Sequence, residues 1–173
     1  MAWMSSGAHD LGAQEILGSL EPGDLIEELK SVVQEGWECD RGAHLLTAWR
    51  RTYFADREHF VGNHEFEYAV NGRGIPDDDL DDLHSNRHEV LLRRGLAFLC
   101  AALERSQHDL PSATILGQVS VTPTDHDPSF STGHVTFYTA NEDLSPALIS
   151  DTSAALVMIL TASDCGGRLH GQP

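Results

Sequence analysis

The stretch HEVLLRRGLAFLCAAL, residues 88–103, decides how the 173-residue chain is read. Leu92, Leu96, Leu99 and Leu103 recur at the spacing that places them on one stripe of a helix. Cys100 falls inside the pattern and reads as packing. The spacing predicts a long helix over residues 78–107, preceded by Ile75-Pro76 and ended before Pro111. Its start is acidic and its later half carries Arg93, Arg94 and Arg105, so both ends suit the helix dipole.

Upstream, residues 64–70 alternate, with His64, Phe66, Tyr68 and Val70 on one side and Glu65 and Glu67 on the other. That alternation reads as a strand, closed by a turn at Asn71-Gly72-Arg73-Gly74. Residues 43–54, rich in aromatic and branched side chains, read as another strand. Before them a helix is expected from Asp24, boxed by Glu27, carrying Leu25, Leu29, Val32 and Val33 and stopped by Gly36.

Downstream, strands are expected at 113–122 and 134–139, separated by a polar loop. Ser145-Pro146 opens a short helix at 147–153, and the apolar run 155–162 reads as a central strand. The order α-β-β-α-β-β-α-β makes this an α+β chain, a mostly antiparallel sheet with helices packed on it. Residues 21–163 read as the single domain, 1–20 as a weakly ordered segment or short helix, and 164–173 as a flexible tail.

With 27 acidic against 11 basic residues, the formal charge is -16. A field of that sign repels phosphate, so direct nucleic-acid binding and anionic membrane surfaces are disfavoured, and a basic protein partner is steered in. No apolar run approaches the ~20 residues that span a bilayer. The first twelve residues lack the basic start and apolar core of a signal peptide, so a cytoplasmic location is expected. Cys39, Cys100 and Cys165 are odd in number and far apart, with no disulfide framework, which fits a reducing compartment.

Two constellations carry candidate chemistry. Carried toward its N-terminus, the long helix's stripe meets His88, His84, Asp81 and Asp77, with His84 and His88 one turn apart. Asp81, His84 and His88, completed by His64, form a ligand set suited to zinc, iron or manganese, around which Glu67, Tyr68 or Arg73 are candidates for acid–base work or substrate anchoring. The competing reading takes Asp77, Asp78, Asp79 and Asp82 as a charged docking surface and the histidines as the rim of the core. A second polar cluster, Asp125-His126-Asp127 with Ser129, Ser131 and His134, lacks a nucleophile elbow and reads as a solvated loop.

The leading expectation is therefore a small acidic interaction protein, of inhibitor or immunity type, that binds a basic partner and needs no cofactor. The alternative is a metal-dependent enzyme built on the long helix.

Overall fold

The apolar stretch of residues 88–103 is helical, as its spacing predicts. The computed structural model describes residues 2–4, 15–80, 86–127, 130–140 and 156–166. In chain order these form strand β1 (Ala2–Met4), helix α1 (Glu27–Glu35), strands β2 (Trp37–Asp40) and β3 (Ala43–Leu46), and helices α2 (Thr47–Arg51) and α3 (Asn63–Val70). Strand β4 (Arg73–Gly74), helix α4 (Arg87–Asp109), strands β5 (Ile115–Pro123), β6 (Ser131–Thr139) and β7 (Leu156–Leu160), and helix α5 (Ala162–Cys165) follow.

The fold is α+β. One antiparallel sheet runs β1-β7-β5-β6-β4, and β2 and β3 form a separate hairpin. Arg41 and Gly42 close that hairpin with φ of 52° and 83°. Positive φ at both central residues is the geometry whose twist matches the flanking strands, and glycine supplies one of them without strain.

Alternate residues of β5 and β6 point to opposite sides of the sheet. Ile115, Val119 and Val121 of β5, with Val135 and Phe137 of β6, join the core cluster beneath α4, which contributes Leu91, Leu92, Leu96, Phe98, Leu99 and Leu103. At Gly95 helix and sheet approach closely, since a Cβ there would strike Val119 and Ile75. Trp37 and Phe98 both meet the Phe137 ring edge-on, and the Trp37 indole donates to the Ala102 carbonyl at 2.9 Å. A smaller cluster of Ala43, Leu45, Phe66 and Val70 lies under α3.

Several local expectations are corrected. Residues 64–70 are helical, and the buried set is Phe66, Glu67 and Val70, a helical spacing that the apparent alternation conceals. The strand expected at 43–54 ends at Leu46 and turns into α2, while Trp37–Asp40 pairs with β3 as a strand that the sequence reading missed. Asp24 belongs to a 3-10 turn, where its carboxylate accepts from the Glu21 amide, and α1 starts at Glu27. Helix α4 begins at Arg87, with residues 77–80 in a turn before it. Gly36 ends α1 as expected, and β7 lies between β1 and β5 as a central strand should. The helix expected at 147–153 lies outside the described residues.

Cysteine is the largest correction. Cys100 on α4 and Cys165 on α5 form a buried disulfide across 65 residues of sequence, leaving Cys39 as the free cysteine. Spacing alone had pointed away from a bridge, because the antiparallel sheet that returns β7 to α4 cannot be read from spacing. Closing a loop of that length stabilises the fold by about 4 kcal/mol. Urea unfolding with and without reductant should differ by roughly that amount, and Cys165→Ser should behave like the reduced protein. Coincident curves would contradict a formed bond.

Candidate functional site

The acidic run lies where β4 leads into α4. The Ile75 amide donates to the Gly133 carbonyl at 2.9 Å and ties the start of the segment to the sheet. Two arginines of α4 then hold it. Arg87 pairs with Asp77 and donates from Nε to the Ser131 carbonyl at 2.9 Å and from Nη1 to the Leu80 carbonyl at 3.0 Å. Its guanidinium also lies 3.9 Å from the centre of the Phe130 ring. Arg94 forks onto Asp79 at 2.7 and 2.5 Å and donates to the Pro76 carbonyl at 2.8 Å.

Both guanidiniums are buried, which requires a carboxylate partner to offset desolvation. Two carboxylates of the run are thus counter-charges of buried arginines, which tie residues 77–79 to α4 with Asp78 and Asp79 outward. From sequence Arg94 was read only as one of the basic residues that suit the helix dipole and Arg87 was not singled out, although a signal was there. Arg87 and Arg94 are seven apart and share a helix face with Leu91 and Phe98, directly after a run of acids.

The proposed ligand set is only partly in view. Asp81, His84 and Asp82 lie outside the described residues. His88 is exposed on α4, while its neighbour Arg87 points inward. His64 is half-buried on α3. Phe137 meets Phe98 of α4 at 5.6 Å, whereas the next residue, Tyr138, meets the His64 ring at 5.0 Å. Consecutive strand residues face opposite ways, so α3 and α4 lie on opposite sides of the sheet, and His64 and His88 with them. No group of three or more His, Cys, Asp or Glu able to hold a metal ion occurs among the described residues.

The acid–base candidates point three ways. Glu67 is fully buried and accepts from the His44 amide at 2.7 Å, the Thr139 amide at 2.7 Å and the Thr139 hydroxyl at 2.8 Å. One turn later Asn71 accepts from the Leu46 amide at 2.9 Å and donates to the carbonyls of His44 at 2.9 Å and Phe137 at 3.2 Å. Together the two side chains supply the ladder that β3 and β6 do not make with each other. A carboxylate held in this way meets no substrate unless the joint opens.

Tyr68 faces outward beside Tyr138, their rings 6.1 Å apart. Burial, and then the neighbouring Tyr68, push the Tyr138 hydroxyl above the usual tyrosine range. Arg73 stacks 5.5 Å over Trp49 and 5.9 Å over Tyr53 and donates to the Gly72 carbonyl at 2.7 Å.

The other histidine cluster does not assemble. Asp125, His126 and Asp127 are exposed at the tip of the β5–β6 hairpin, where the Thr124 hydroxyl donates to the Asp127 carbonyl at 2.8 Å. Ser129 lies outside the described residues, and Ser131 is buried. His134 is three residues further along the strand, about 10 Å from Ser131. Its ring packs near Gly72. Loss of water on that side, and then the charge of Arg73, lower its pKa.

No family model matches the chain, and no curated protein or solved structure matches it either.

Removing the Glu67 acceptor leaves buried amides without partners, so Glu67→Ala should cost about 3 kcal/mol in urea unfolding. A loss below roughly 1 kcal/mol would contradict its role as a joint. The lowered pKa of His134 means that the unfolded chain takes up a proton at higher pH than the folded one. Stability should therefore fall as pH drops below about 6.5, and His134→Gln should lose less than the wild type over that range. Identical pH profiles would contradict the packing described for this ring.

Proposed function

We propose that this protein is a small acidic binding protein of inhibitor or immunity type, which docks a basic partner through the acidic segment before α4. The observation that supports the reading is the way Arg87 and Arg94 hold that segment. Asp77 and Asp79 answer the arginines of α4, and Asp78 stands exposed between them, so its carboxylate is presented from backbone tied to the helix on either side. Preorganisation of this kind lowers the entropic cost of association. The formal charge of -16 adds a long-range field that speeds encounter with a cationic surface.

No helix among the described residues is long and apolar enough to cross a membrane. The cytoplasmic placement expected from sequence has the buried Cys100–Cys165 bond against it, since structural disulfides are uncommon where thiols are kept reduced. An oxidising compartment accommodates the bond directly.

The test is capture of binding proteins from native lysate at low salt, elution by a salt step, and kinetics with the purified partner. Asp78→Lys reverses an exposed charge without touching either buried arginine. It should slow association about tenfold at low salt and have little effect near 1 M salt, where the Debye length shrinks to about 3 Å. A saturable partner that is acidic, or a rate unchanged by Asp78→Lys, would sink this assignment.

A further inference from the structure

The chain's three cysteines stand in unlike surroundings. Cys100 and Cys165 are bonded to each other and buried, whereas Cys39 is free and exposed on β2. The ladder of the β2–β3 hairpin sets Cys39 directly opposite His44.

The His44 amide donates to Glu67 at 2.7 Å and its carbonyl accepts from Asn71 at 2.9 Å, so both main-chain groups of His44 point away from β2. Cys39 and His44 are therefore a non-hydrogen-bonded pair, the kind whose Cα atoms approach to about 4.5 Å and whose side chains share one face. The bond made by Nδ1 fixes the imidazole. It lies 2.8 Å from the Thr139 hydroxyl on β6, on the side of β3 away from β2. That hydroxyl donates to Glu67 Oε1 at 2.8 Å, so it accepts from His44, and Nδ1 carries the ring proton. The other flank of the ring, with the unprotonated Nε2, is thereby turned toward β2 and Cys39. Glu67, 3.4 Å from Nδ1, stands behind the ring as a counter-charge for the proton that Nε2 would accept. A thiol, a base beside it and a third group orienting the base are the parts of an activated nucleophile.

We propose that Cys39 is a thiol-exchange site, with His44 as its base, that takes up a small disulfide as a mixed disulfide. The thiol proton passes to Nε2 of His44, and the sulfur attacks one sulfur of R–S–S–R. The new S–S bond forms as the old one breaks, and the leaving thiolate takes the proton from Nε2 and departs as R–SH. Cys39 is oxidised and one half of the disulfide is reduced, so no further oxidant enters. Disulfide exchange needs a thiolate and open access, whereas acyl transfer also needs aligned donors for an oxyanion. The product persists, because the other two cysteines are bonded to each other and buried, which leaves no second thiol to resolve it. A neutral or cationic disulfide is favoured, since the net charge of -16 repels an anionic one.

The probe is the uncharged 2-hydroxyethyl disulfide, added at neutral pH to protein with its buried bond intact, with the product followed by mass spectrometry. Uptake should stop at one equivalent and vanish in Cys39→Ser. The wild type should react about fivefold faster than N-acetylcysteine amide, and His44→Gln should bring the rate back to that of the amide. The comparison with the amide needs no variant, so it decides the matter even if His44→Gln fails to fold. A wild-type rate within about twofold of the amide, or one that His44→Gln leaves unchanged, overturns the proposal.

Discussion

Strand β6 has an outer edge that β4 covers only at Val135 and His134. Beyond them the backbone groups of Phe137 and Thr139 need partners, as do those of His44 and Leu46 on β3. Two side chains of α3 satisfy both sets. Glu67 takes the amides of His44 and Thr139, and Asn71 takes the Leu46 amide while donating to the carbonyls of His44 and Phe137. An unsatisfied buried amide costs about 1–3 kcal/mol, so this joint, beside the buried Trp37 and Leu46, is a main tie of the hairpin to the sheet. It also sets which side of the sheet α3 occupies, and thereby where Arg57, Tyr53 and Phe66 gather.

The joint explains why part of the fold was legible in sequence and part was not. Helix α4 and strands β5 to β7 announce themselves, because each buries a periodic apolar face against another. Helix α3 does not. It is only eight residues long, and two of its inward positions, Glu67 and Asn71 at its cap, are polar, serving a strand edge rather than a core. Its remaining pattern, His64, Phe66, Tyr68 and Val70, imitates a strand. The disulfide was hidden for a related reason, since it depends on a long-range juxtaposition that local spacing does not encode, whereas the hairpin β2–β3 is local and its turn lies at Arg41-Gly42.

The candidate site shows the same division. That residues 77–79 are acidic is plain from the sequence, but that two of them answer buried arginines is not. The histidine pattern on the helix suggested convergence with His64, yet strand alternation places His64 and His88 on opposite sides of the sheet. The chain thus combines a field of one sign with an acidic segment tied to arginines buried in the core.

The most direct test of this architecture is amide hydrogen exchange at His44, Leu46 and Thr139. Their N–H groups are bonded to the side chains of Glu67 and Asn71 rather than to another strand. If the joint ties hairpin and sheet into one cooperative unit, all three should exchange only through global unfolding, as slowly as amides at the centre of the β5–β6 ladder. Rapid exchange at these three positions while the β5–β6 ladder stays protected would show that the hairpin opens by itself, and would contradict the account.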